Sequence, residues 1–317
     1  MKQDADSRPV ETRNDPPLPL KRILHPTDFS PESQSAFVHA LRIAVAARAE
    51  LDIIHIETTP SASDIERFPQ VRETLSRWGM LRDGATSSDV AKLGITVRKL
   101  SIQAENPGVG IMQFLGRHHE DLIVLATHHR SAIGRWFHPD IATRIAVRSH
   151  IATMFVPEDS HGFVRPLDGR SSLQRVILPV DSAPSPQTAI DLSAAMVRSL
   201  MQNDAPTFSV MHVGPKPLQN MKVHFPPDSD WNWEWLARSE HVVNDIVTVA
   251  KQKSANLIAM TTEGHTCWKD ILSGCTTENV VHKAPCPVLA VSAVELDSFR
   301  ETVTGKQIPM KARVASR

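Results

Sequence analysis

The chain has 317 residues, 41% of them apolar, with 35 basic and 35 acidic side chains and a formal net charge of zero when histidine is neutral. That balance offers no electrostatic case for nucleic acid, whose phosphate backbone calls for clustered positive charge. No apolar run approaches the roughly 20 residues that span a bilayer, and three cysteines, Cys267, Cys275 and Cys286, are too sparse for a disulfide framework and point to a reducing compartment.

Residues 1–18 are charged and proline-containing, lack the apolar core of a signal peptide, and are expected to form a mobile tail. A short buried strand follows at 23–25, then a helix over 32–48, where Ala36, Phe37, Ala40, Leu41, Ala44 and Val45 recur at helical spacing. Strands are predicted at 52–56, 95–101, 122–126 and 151–156. Between them lie a partly helical stretch over 61–93 and helices over 107–117 and 141–149. A polar segment with Pro166, Gly162 and Gly169 marks a linker over 158–173. The pattern then repeats, with strands at 176–179, 207–213, 233–237, 257–260 and 288–291 and helices near 186–201, 242–253 and 276–283. A second tail spans 294–317; its Arg300, Lys306, Lys311, Arg313 and Arg317 read either as a solvated end or as a weak basic tether.

The repetition extends to individual residues. Lys21-Arg22-Ile23-Leu24-His25-Pro26-Thr27-Asp28 returns as Gln174-Arg175-Val176-Ile177-Leu178-Pro179-Val180-Asp181, and Asp121-Leu122-Ile123-Val124-Leu125-Ala126-Thr127 returns as Asn256-Leu257-Ile258-Ala259-Met260-Thr261-Thr262. Duplicated strand–loop–helix units predict two related α/β domains, 19–157 and 174–293. Each is expected to be a doubly wound parallel sheet of five strands with helices on both faces. Such sheets take ligands at the carboxyl ends of their strands, where the winding reverses.

These motifs resemble the universal stress protein family in its tandem form. The likeness rests on Pro26-Thr27-Asp28-Phe29-Ser30 and Pro179-Val180-Asp181-Ser182, on Ile54-His55-Ile56 and Met211-His212-Val213, and on the closing block from Gly274 to Val291. The resemblance implies a Rossmann-like, adenine nucleotide alpha hydrolase-like fold with strand order 3-2-1-4-5, domains paired through their fifth strands, a cytoplasmic stress-response role and, in many members, ATP binding. A homodimer is a further expectation.

ATP-binding members of that family carry a glycine, two residues, a glycine, nine residues, and a glycine followed by Ser or Thr. Glycines let the backbone approach a phosphate without a Cβ, and the amides and the helix that follows cradle the anion. The second copy keeps Gly264 and Gly274 at that spacing, with Thr261 in place of the first glycine and Cys275 in place of the hydroxyl; Thr276 still offers one. By resemblance, Asp181 meets the adenine or ribose, Val213 lines the base pocket beside Pro179 and Val180, and Thr261, Gly264, Gly274, Cys275 and Thr276 face the phosphates. The other reading of Asp181 is a helix N-cap. Glu263 would repel a triphosphate unless Mg2+ intervenes. In the first copy His129 and Pro139 replace the two glycines and Asp140 the hydroxyl, so that copy is expected not to bind ATP in the family manner.

The first copy instead gathers His25, His55, His128 and His129 at strand ends, with Asp28 and His138 as further oxygen and nitrogen donors. They read either as a metal or metabolite site or as hydrogen-bonded fold residues, the latter favoured for His55 because His212 repeats it. Trp231, Trp233 and Trp235 would share one face of a strand, either buried under a helix or exposed to a partner. Cys275 reads as a Ser-like substitution rather than a nucleophile. The expected function is nucleotide-responsive regulation with ATP in the C-terminal copy; a non-nucleotide scaffold is the alternative, and a slow ATP hydrolase ranks last because no positioned base is evident.

Overall fold

The computed structural model describes residues 18–59, 65–127, 145, 149–158, 160, 162–201, 205–214, 223–226, 230–262 and 276–293. The elements of the first half are β1 (Arg22–Pro26), α1 (Pro31–Ala47), β2 (Glu50–Glu57), a 3-10 turn (Ile65–Arg67), α2 (Val71–Arg77), α3 (Ser87–Lys92), β3 (Thr96–Gln103), α4 (Pro107–Leu115), β4 (Leu122–Thr127) and β5 (Ala152–Pro157). The second half contains β6 (Arg175–Pro179), α5 (Gln187–Leu200), β7 (Thr207–Val213), β8 (Asn232–Arg238), α6 (Val242–Gln252), β9 (Leu257–Thr262), α7 (Thr276–Lys283) and β10 (Val288–Ser292). The helix predicted over 141–149 falls almost wholly outside the described residues, as do both tails.

Local chemistry sets the helix starts. Ser30 caps α1 by accepting from the Ser33 amide, and Pro31 takes the first helical position, where its missing N–H costs nothing. Asn106 and Pro107 do the same for α4, with Asn106 accepting from the Val109 amide. Arg48 ends α1 in the left-handed conformation, its amide closing on Ala44 and Val45 carbonyls.

The strands form one sheet in the order β3-β2-β1-β4-β5-β10-β9-β6-β7-β8. The predicted order 3-2-1-4-5 therefore runs in from both edges, parallel throughout each half. At the seam β5 and β10 pair antiparallel, Met154 facing Leu289. The central strands are buried on both faces, which explains why β4 is apolar at nearly every position. One apolar core lies under α1 and α5, which pack on each other across the seam. The other lies under α4, α6 and α7. Both cores draw residues from both halves, Ile23 and Val176 in the first and Leu24 and Ile177 in the second.

Two features depart from the sequence expectation. The linker carries buried residues, Phe163, Val164 and Leu173, and folds into a strap closed by a Val164–Ser171 bridge. His39, fully buried on α1, donates from Nδ1 to the Ser35 carbonyl at 2.7 Å and accepts at Nε2 from the Phe163 and Val164 amides at 3.0 and 3.3 Å. Trp78 donates to the Pro166 carbonyl and Arg42 to that of Gly169. The tryptophan row is graded rather than uniformly buried or exposed: Trp231 is 8% accessible, Trp233 is half-buried and Trp235 is 38% accessible. Trp231 and Trp233 stack on Phe208, and Phe225 packs on Trp233.

Candidate functional site

In the C-terminal half β6 lies between β7 and β9, and the winding reverses at β6/β9. Parallel strands bring all three carboxyl ends to one edge. Pro179 ends β6 and leads into buried Val180 and exposed Asp181; Val213 ends β7; Thr261 sits in the last turn of ladder on β9, opposite Val291. Exposed Thr276 opens α7. Six of the nine predicted residues thus collect at one end of one sheet region. Gly264, Gly274 and Cys275, with Glu263, lie outside the described residues.

The loop after β6 is tied down from β7. The Val180 amide donates to the Met211 carbonyl at 2.8 Å, and His212 donates through Nδ1–H to the Val180 carbonyl at 3.2 Å. A carbonyl facing Nδ1 requires the proton on that nitrogen, which settles the tautomer. Asp181 accepts from the Ser182 amide at 2.6 Å and from its hydroxyl at 3.3 Å. It does not cap a helix: α5 begins at Gln187, and Pro186 stands at the cap position with no side-chain bond. The N-cap reading of Asp181 is corrected on that ground, since five residues separate the carboxylate from the helix start. The Thr261 hydroxyl oxygen is buried and has no hydrogen-bond partner among the described residues. Such a group forfeits roughly 1–3 kcal/mol unless something completes it.

The N-terminal half repeats the frame with different chemistry. The Thr27 amide donates to the Ile54 carbonyl at 2.8 Å, and His55 Nδ1–H donates to the Thr27 carbonyl at 2.8 Å. Asp28 accepts from the Ser30 amide, while Ser30 caps the helix. Ala126 stands where the second half has Thr261. His25 is fully buried, donates from Nδ1 to the Val124 carbonyl at 3.0 Å, and is held down to a pKa of about 4 by burial, against smaller opposing effects of that bond and of Asp28. Its Nε2 is buried and has no partner among the described residues. Burial also lowers the His55 pKa. Among the described residues no group of three or more His, Cys, Asp or Glu could hold a metal ion; His128, His129 and His138 lie outside them.

The hydrogen-bonded fold role expected for His55 from its repetition as His212 is what the structure shows. Sequence reasoning missed a charge network at the opposite, amino end of the first-half sheet. Arg98 makes a two-pronged bond to buried Asp52, and Arg22 lies 3.5 Å from both Asp52 and Glu120 and 3.6 Å from Glu50. Burial, then the charge of Asp52, pushes the Glu120 carboxyl up to about 7, with Arg22 and Arg98 opposing. Cys286 is buried, and desolvation pushes its thiol up to about 12, which suits a structural role.

Comparison with known proteins follows the same lines. The model of the universal stress protein family matches residues 19–157 and 230–292, more than half of the chain. No curated protein matches it. Among solved structures, a universal stress protein from Archaeoglobus fulgidus DSM 4304 is similar with TM-score 0.56 at 15% identity, over 86% of this chain and 98% of its own. A Pseudomonas aeruginosa UCBPP-PA14 protein provisionally assigned to the same class follows with TM-score 0.54 at 11% identity, over 87% and 94%. A protein of unknown function from Pseudomonas aeruginosa PAO1 gives TM-score 0.53 at 10% identity, over 87% and 93%. At these identities the likeness concerns the fold.

Proposed function

This chain belongs to the universal stress protein family, and on that premise we propose that it is a tandem member, with domains at 19–157 and 174–293, whose C-terminal domain binds ATP with Mg2+. The observation that carries this reading is the unpartnered, buried Thr261 hydroxyl at the carboxyl end of β9. It stands at the switch point of the sheet, on the same edge as Asp181 and Val213. A buried hydroxyl without a partner among the described residues, on the same sheet edge as an exposed carboxylate, suits a polar ligand that both donates and accepts hydrogen bonds, as an adenine nucleotide does. Asp181 would hold the ribose or base, Val180 and Val213 would flank the base, and Thr261 and Thr276 would meet the phosphates, with Gly264 and Gly274 giving the backbone room there. The magnesium ion would offset the negative charge of Glu263. The protein would work in the cytoplasm as a regulator, ATP acting by binding one conformational or assembly state better than another.

Titration of Mg-ATP into the full chain tests the reading. Saturable binding is expected, and Asp181→Ala should weaken it at least tenfold with the melting temperature unchanged. The absence of any saturable signal up to millimolar ATP would reject it.

A further inference from the structure

The two halves meet differently at the two ends of their seam. Strand β5 runs antiparallel to β10, so its start lies at the carboxyl end of β10, on the ligand edge of the C-terminal half. His150, two residues before β5, brings its Nδ1 to 3.4 Å from the Ser292 hydroxyl there. Ser292 ends β10 and pairs in register with Thr262, the neighbour of Thr261. Val288 and Ala290 belong to the core under α4, α6 and α7, and strand alternation puts the Ser292 side chain on that same face. Helix α7 returns the chain from the carboxyl end of β9 to the start of β10, so Thr276 opens it on this face and at this edge. A side chain of the first half thus stands at the strand ends where the nucleotide of the C-terminal half would set its phosphates.

The other end of the seam lacks the matching groups. The register pairs Ile123–Thr153 and Ile258–Val288 fix the correspondence of the halves at an offset of 135 residues (258 − 123 = 288 − 153 = 135). Pro285 therefore answers to His150, and Pro157 to Ser292. Proline has neither an amide N–H nor a polar side chain, so this pair has nothing to donate to an anion at the N-terminal ligand edge. The polar reach across the seam falls on the half that keeps Gly264 and Gly274. The backbone of His150 points the same way. Its φ is +58°, in the left-handed region that a residue with a Cβ avoids and glycine adopts freely. A turn into β5 needs no imidazole, and glycine would make it with less strain. Side chains held in this region gather where ligands are bound.

We propose that His150 is a ligand-binding residue of the C-terminal site, contributed by the N-terminal half, its imidazole N–H donating to a phosphate oxygen of the bound nucleotide. The inference rests on the reading that the C-terminal half takes Mg-ATP. Its own content is that the site is shared. The nucleotide is held in full only while β5 lies on β10, so its binding strengthens the docking of one half on the other.

Mg-ATP and adenosine are titrated in parallel into the full-length wild type and into His150→Gly, whose backbone tolerates the turn. Adenosine has no phosphate and so controls for a role that is only structural. Affinity for Mg-ATP should fall about tenfold, as for the loss of one hydrogen bond to a charged group, while affinity for adenosine is kept. An equal loss for both ligands, or a variant that melts lower yet binds Mg-ATP as the wild type does, makes His150 a structural residue; either result overturns the proposal and leaves the C-terminal reading standing. A wild type that binds neither ligand refutes that reading as well. A measurement on the wild type needs no variant to fold. Followed by NMR, the His150 ring protons should shift saturably with Mg-ATP; protons that stay in place at saturation, or that move as far with adenosine, overturn the proposal.

Discussion

Three buried ionisable side chains give this protein opposing pH responses. His25 and His39 are both held at a pKa of about 4 by burial. Their unfolded values lie near 6.5, so unfolded chains bind more protons as the pH falls, and stability present above about pH 6.5 is lost towards pH 4. The loss is on the order of 3 kcal/mol per imidazole at 1.36 kcal/mol per unit. Protonated His39 could no longer accept from the two strap amides. Glu120 has the reverse sign: its pKa is raised to about 7, so the folded chain keeps a proton that the unfolded chain gives up, and stability falls as the pH rises from about 4.5 to 7. Glu120→Gln should therefore gain on the wild type by about 1.4 kcal/mol per pH unit over that window. Denaturant titrations at half-unit pH steps measure it, and a difference that stays flat with pH would refute the protonated Glu120. The short buried strand expected at 23–25 includes His25, but the burial of His39 was not legible in the chain. His39 sits among apolar neighbours in the helix pattern, but only the fold brings Phe163 and Val164 to its far nitrogen.

At the scale of elements, the strap is the part that composition misread. Pro166, Gly162 and Gly169 among polar neighbours look like a solvated spacer, yet a glycine also lets a backbone pass close to a side chain. A Cβ on Gly169 would lie 2.4 Å from the Trp78 ring at φ of +66°. Gly169→Ala is expected to cost about 1–3 kcal/mol and to speed tryptic cleavage at Arg170, read by mass spectrometry of the fragments; unchanged cleavage and melting would mean the strap is loosely held. The strands and long helices, by contrast, were legible almost to their ends, because burial on two faces demands continuous apolar runs and helical burial demands the 3.6-residue period. The helix over 107–117 is two residues shorter than its pattern, closing at Gly116.

At the scale of the molecule, the two halves share one sheet and both cores. The β5–β10 seam sits at the centre of ten strands rather than at an edge. Amides of β5 and β10 facing each other around Met154 and Leu289 should exchange hydrogen only in global unfolding and with one common free energy. Native-state hydrogen exchange tests this. Protection in one strand more than tenfold below its partner would show that the halves open separately.

Sequence alone determined the elements, their order within each half and the family, because hydrophobic period and duplicated motifs are local properties written in consecutive residues. It also pointed to the carboxyl edge of the strands, where Pro179 and Val213 end β6 and β7, since parallel strands must end on one side. Only the tertiary structure decided which polar atoms stay unpaired there and that His212 and His55 anchor the two loops. Those facts depend on which side chains meet across tens of residues of chain, and no periodicity encodes a meeting.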